Sequence, residues 1–150
     1  EGGLMADSSF EDSKAAVKKY KIPTGVYFFT QAITYDEGVE EAEYVLKQVK
    51  NMNLKYPIVI DSELIGDAEA RGDNATNDER TDGYTPMIYA SRNMFAQCLD
   101  MDRLGDYELW LAHYANVPNF PYKYTGWQYT ESGSVDGISG DVDLNLWFKD

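Results

Sequence analysis

Asp61 and Glu63 close a short run rich in β-branched residues, Tyr56-Pro57-Ile58-Val59-Ile60-Asp61-Ser62-Glu63. Two acids one residue apart at the end of a strand can do proton chemistry. Side chains alternate across a strand, so both carboxyls point to one side, separated by about 6–7 Å of rise. Each negative charge disfavours ionisation of the other. One carboxyl can therefore stay protonated near neutrality and give up a proton while its neighbour remains an anion. Cleavage of a glycosidic bond is one reaction that needs this division of labour. The plainer alternative is a surface Asp-x-Glu at a strand-to-loop junction, and the rest of the chain has to decide between them.

Composition narrows the field. At 150 residues the chain has one domain's worth of length, enough to bury a core. Thirteen basic against 26 acidic residues give a formal charge of −13, a field that repels the phosphates of nucleic acid and anionic membrane surfaces. Cys98 is the only cysteine, so no internal disulfide forms, and its place beside Phe95 and Leu99 fits a small apolar residue. A lone His113 argues against a histidine metal site or a nucleophile–histidine triad. No apolar run reaches the roughly 18 residues of a membrane span, and no signal-peptide pattern is visible. Twelve tyrosines and three tryptophans supply rings that edge a core or stack on sugars.

The elements that must hold the acid pair follow from periodicity. Ser8 to Tyr20 reads as a helix, with Ser9 and Asp12 resembling a capping box and Phe10, Ala16 and Val17 as its apolar side. Val26-Tyr27-Phe28-Phe29-Thr30 reads as a strand buried on both faces. Asp36 to Lys50 is a second helix, with Val39, Ala42, Leu46 and Val49 on one stripe, acids early and lysines late, as the helix dipole favours. After the acid-bearing strand comes an irregular polar stretch, Leu64 to Tyr84. Then follow a strand at Met87–Ala90, a short helix at Arg92–Asp102, and strands at Tyr107–Tyr114, Gly126–Tyr129 and Val142–Trp147. Strands alternating with helices pair in parallel, which predicts a parallel α/β sheet or barrel.

The motifs Gly25-Val26-Tyr27-Phe28-Phe29, Asp61-Ser62-Glu63, Met87-Ile88-Tyr89-Ala90-Ser91, Leu109-Trp110-Leu111-Ala112-His113-Tyr114, Trp127-Gln128-Tyr129-Thr130 and Gly140-Asp141-Val142-Asp143-Leu144-Asn145 occur in one order through nearly the whole chain. Singly each is weak. Together the chain resembles the glycoside hydrolase family 25 lysozymes, muramidases of the bacterial and phage type. The resemblance implies an α/β fold, a modified (β/α) TIM-like barrel with its site at the C-terminal ends of the strands. It also implies cleavage of the β-1,4 bond between N-acetylmuramic acid and N-acetylglucosamine in peptidoglycan.

Carried onto this sequence, the resemblance makes Glu63 the general acid, with a pKa raised by Asp61. It makes Asp61 the group that supports the substrate's 2-acetamido as that group attacks the anomeric carbon, and Asp143 a further active-site aspartate. A turn or cap role for Asp143 stays open, as does inverting chemistry through a water. Tyr27, Phe29, Trp110, Tyr114 and Gln128 are the expected substrate contacts, with core packing an equal alternative for Trp110 and Tyr27. Tyr89 is expected to pack or hydrogen-bond inside the barrel, and His113 to be structural. No metal or organic cofactor is implied. Peptidoglycan is the expected partner, in a secreted, wall-associated or phage-delivered setting.

The sequence departs from the family pattern in two places. The family's opening strand with an Asp-Val-Ser motif, and its second strand ending near an arginine, have no counterpart. The expectation is therefore a single catalytic domain over residues 1–150, truncated at its N-terminus, with about six of eight strands. Asn77 to Thr81 resembles the start of a helix whose body is missing. Six strands leave two open edges, to which a second copy of the chain could pair as a homodimer. The competing functions are a catalytically impaired, sugar-binding remnant of the same fold and an unrelated acidic α/β domain engaged in protein contacts. The ordered motifs disfavour the second of these.

Overall fold

The computed structural model describes residues 3–32, 34–63 and 86–148. The expected irregular stretch after the acid pair and the helix start at Asn77 to Thr81 lie outside the described residues. Helix α1 (Phe10–Tyr20) is followed by β1 (Val26–Phe29), α2 (Tyr35–Val49), β2 (Ile58–Ser62), β3 (Pro86–Ser91), α3 (Arg92–Gln97), α4 (Met101–Leu104), β4 (Glu108–Ala112), β5 (Gly126–Gly133) and β6 (Val142–Trp147). The six strands form one sheet in chain order, β1 to β6. Strands β1 to β5 pair in parallel. Strand β6 runs antiparallel to β5, which corrects the expected all-parallel sheet. No helix separates β5 from β6, and Gly137 and Gly140 at positive φ let the chain fold straight back as a hairpin.

Local chemistry sets the element ends. The Thr34 hydroxyl accepts from the Glu37 amide and caps α2, and Ser91 does the same for α3 through the Met94 amide, each satisfying a helix donor that has no partner within the helix. The capping box expected at Ser9 does not form. Its hydroxyl and amide both donate to Asp7 Oδ1, so the side chain is spent on the preceding turn rather than on the helix.

The outer face of the sheet carries the core. Ile88, Ala90, Leu109 and Leu111 pack with Met94 and Phe95 of α3 and Leu104 of α4, and Cys98 and Leu99 pack against that cluster. Helix α2 lies over the other end of the sheet, where Ala42, Val45 and Leu46 face Phe28, Ile58, Ile60 and Pro86 across an apolar groove. The inner face curls around a hollow. Strands β2 and β6 are four neighbours apart, about 19 Å in a flat sheet. Yet the Tyr56 ring just before β2 meets Trp147 of β6 edge-on at 6.0 Å. Strand β1 is an edge strand, and on its inner face Tyr27 and Phe29 are 70% and 40% exposed. It is not buried on both faces as its composition suggested, because its inner face looks into that hollow.

Candidate active site

The register stacks the inner-face side chains in layers. One layer crosses the sheet from Phe29 through Asp61, Tyr89, Trp110 and Gly126 to Trp147. Residues paired across a sheet share a face, so Asp61 is flanked by Phe29 on β1 and Tyr89 on β3. The next layer toward the C-terminal ends of the parallel strands holds Ala112, Gln128 and Asn145. Glu63 lies two residues beyond Asp61, just past the end of β2.

Depth separates the two acids. Asp61 is half-buried, whereas Glu63 stands exposed at the rim. Asp61 Oδ1 is sealed from solvent and has no hydrogen-bond partner among the described residues. Burial, with the Glu63 charge adding to it, pushes the Asp61 carboxyl up to about 7. A carboxylate taken from water without a donor is costly, so its neutral form gains. The elevated carboxyl is that of Asp61, the deeper of the pair.

The floor of the hollow is aromatic. Trp110 meets Tyr89 edge-on at 5.0 Å and Trp147 at 6.4 Å, and its Nε1–H donates to Asn145 Oδ1 at 2.8 Å. Gly126 makes room for this group, since a Cβ there would sit 2.9 Å from both Trp110 Cδ1 and Trp147 Cζ3. Above the floor, the Tyr89 hydroxyl donates to Gln128 Oε1 at 2.7 Å, and the Tyr114 hydroxyl donates to the same oxygen at 2.9 Å. Burial is the first cause raising both phenols. Glu63 and Asp61 add to it at Tyr89, and Glu131 and Asp143 at Tyr114. A polar line therefore runs across the groove, with Asp61 and Glu63 at one end, Tyr89, Gln128 and Tyr114 between, and Glu131 and Asp143 at the other.

Asp143 is exposed and alternates with Asn145 and Trp147 along β6. Its field reaches Tyr114. Tyr27 lies in the layer below Phe29, in register with Val59 and on the open edge. Gln128 is only 4% exposed, its amide oxygen covered by the two tyrosine hydroxyls. His113 serves the frame: its amide donates to the Gln128 carbonyl, and its own carbonyl accepts from Trp127 Nε1–H. Sequence reasoning missed Asn145, Trp147 and Glu131. The alternation Asp143-x-Asn145-x-Trp147 was visible, but Glu131 was hidden because β5 runs four residues farther than expected.

Comparison with known proteins adds to this geometry. The family model described as Glycosyl hydrolases family 25 matches residues 1–138. An autolytic lysozyme of Clostridium acetobutylicum is 29% identical over 154 residues, covering 97% of this chain and 45% of that protein. The solved modular autolysin LytC of Streptococcus pneumoniae superposes with a TM-score of 0.80 at 26% identity, over 96% of this chain and 38% of its own. The same autolysin in complex with a synthetic peptidoglycan ligand gives 0.81 at 25%, with the same coverage. The Clostridium perfringens spore cortex lytic enzyme SleM, at 22% identity and 0.77 over 99% of this chain and 56% of its own, shares the fold. The chain thus spans less than half the length of the first two proteins. Among the described residues, no helix is long and apolar enough to cross a membrane.

Proposed function

The chain belongs to family 25 of the glycosyl hydrolases, and we propose that it is a peptidoglycan hydrolase of N-acetylmuramidase type acting through Asp61 and Glu63. The bond cleaved is the β-1,4 link between N-acetylmuramic acid and N-acetylglucosamine. The observation that carries this reading is the stacking of the two acids at the C-terminal end of β2. The deeper one is pushed up to about 7, and its Oδ1 has no donor among the described residues, while the other is exposed at the rim.

In the proposed reaction a muramic acid ring lies over the aromatic floor with its 2-acetamido group toward Asp61. The acetamido oxygen attacks the anomeric carbon as the bond from that carbon to the bridging oxygen breaks, and Glu63 delivers its proton to the departing oxygen. The acetamido N–H donates to the Asp61 carboxylate, filling the acceptor position that the described residues leave empty. Positive charge growing on the oxazolinium ring favours the ionised form of Asp61, so its stabilisation strengthens as the transition state forms. Water then opens the ring, giving a proton back to Glu63, and the product keeps its anomeric configuration. Asp143, at the far wall, orders water or sugar hydroxyls. Tyr27, Phe29, Trp110 and Tyr114 offer ring faces or a hydroxyl to neighbouring sugars. The whole is read as one catalytic domain.

Turbidity of purified cell walls tests the activity. The chain should clear a suspension, and Glu63→Gln should lower the rate by at least 100-fold while still sedimenting with the walls. Binding without clearing by the unsubstituted chain would instead mark a sugar-binding remnant of the fold.

A further inference from the structure

One carboxamide on the inner face is turned by its neighbour. Asn145 of β6 is in register with Gln128 of β5, and its side chain reaches the aromatic floor, where Trp110 Nε1–H donates to Asn145 Oδ1 at 2.8 Å. An indole N–H can only donate, so the carboxamide has to offer it oxygen rather than nitrogen. That requirement fixes the flip of the amide. Nδ2, with its two N–H groups, is on the side turned away from the Trp110 nitrogen, and Asn145 as a whole is exposed. Trp110 is itself packed edge-on against Tyr89 and Trp147, so the group that sets the flip is braced.

We propose that Asn145 is a ligand-binding residue whose Nδ2 donates to an uncharged carbonyl oxygen, that of an acetamido group on a bound amino sugar. This deepens the muramidase reading and rests on it for the class of ligand alone. Other protons in the groove are given to the protein: the Tyr89 and Tyr114 hydroxyls donate to Gln128 Oε1, and the Trp110 N–H donates to Asn145 itself. Ionised Glu63, Glu131 and Asp143 only accept. Such acids can take the protons of sugar hydroxyls, but a carbonyl oxygen has no proton to give and needs a donor. The same acids, in a chain of formal charge −13, repel a carboxylate, which favours an acetamido carbonyl over the lactyl group of muramic acid as the partner of Asn145. In the proposed reaction the acetamido group at Asp61 spends its oxygen on the anomeric carbon. The group that Asn145 holds therefore belongs to a neighbouring sugar of the chain.

The test reads the Asn145 amide directly, as its side-chain NH2 pair in a 15N–1H correlation spectrum of the whole chain, assigned with Asn145→Asp. The ligand is a peptide-free tetrasaccharide of alternating N-acetylglucosamine and N-acetylmuramic acid, kept intact by working in Glu63→Gln. At saturation one proton of the Asn145 pair should move downfield. Asn145→Asp keeps an oxygen for Trp110 and loses the donor, so the free variant should hold the Trp110 indole resonance in place and bind the tetrasaccharide about tenfold more weakly. The neutral Asn145→Ala should weaken binding as much, which separates loss of the donor from gain of a charge. The same loss should appear with the uncharged tetramer of N-acetylglucosamine. The proposal is overturned by an Asn145 pair that stays in place at saturation, by unchanged affinity in Asn145→Asp or Asn145→Ala, or by a loss confined to the muramic acid ligand, which would assign the contact to the lactyl carboxylate. A chain whose Asn145 pair shifts as expected but which clears no wall without the Glu63 substitution would contradict the muramidase reading and leave this one standing.

Discussion

Asp61 is where the physical cost of the site is concentrated. Its carboxyl, held up to about 7 in the folded chain against an ordinary 3.8, binds its proton more tightly folded than unfolded. Between those two values the folded state carries more protons, so stability is full below about pH 4 and falls as pH rises to about 7. The full linkage of such a shift is roughly 4 kcal/mol; solvent screening of a half-buried group reduces this to about 2. Urea unfolding of the chain and of Asp61→Asn at pH 4 and pH 8 should show the difference between them changing by about 2 kcal/mol in favour of the variant at the higher pH. Equal pH dependence in both would remove the buried-carboxyl account. The pair itself was legible in the sequence, since alternation placed both acids on one face. Which carboxyl lies deeper was not, because depth depends on Phe29 and Tyr89, which reach Asp61 only through strand pairing. The same holds for Gln128. Its amide marked it as a ligand to something, and only the fold shows two tyrosine hydroxyls arriving at its oxygen.

At the level of elements, the strands and helices were readable because their periodicities are strong, and the misreadings have physical causes. Strand β1 has a core strand's composition, but its neighbours leave one face open to the groove. The segment at Arg92 to Asp102 carries continuous helical periodicity, yet breaks into α3 and α4, where Asp100 accepts from the Asp102 amide and starts a new helix. Strand β6 pairs antiparallel because the turn before it contains glycines and no helix. The close approach at Gly126 is what lets β4, β5 and β6 share one aromatic floor. Gly126→Ala should drive a methyl into Trp110 and Trp147, costing about 1–3 kcal/mol by overpacking. Denaturant unfolding followed by tryptophan fluorescence checks this, and an unchanged midpoint with unchanged emission would show that the floor yields freely.

The whole molecule carries a formal charge of −13, and of its acids the groove holds Asp61, Glu63, Glu131 and Asp143 on one polar line. Such a field repels other anions over a Debye length, about 30 Å at 0.01 M salt and about 8 Å at 0.15 M. Association with walls rich in anionic polymers should therefore speed up severalfold between those salt concentrations, as read from initial clearing rates. A rate that falls with added salt would point to attraction and contradict the field. The curl of the sheet was legible only as a family resemblance, since no local pattern tells a strand which way its neighbours bend. The central claim is that the acid pair on β2 cleaves a glycosidic bond with the substrate's own acetamido as nucleophile. Proton NMR of the first product released from a defined peptidoglycan fragment tests it most directly. A β-configured N-acetylmuramic acid reducing end, appearing before mutarotation and absent with Glu63→Gln, is the predicted result. An α-configured first product, or an N-acetylglucosamine reducing end, would contradict it.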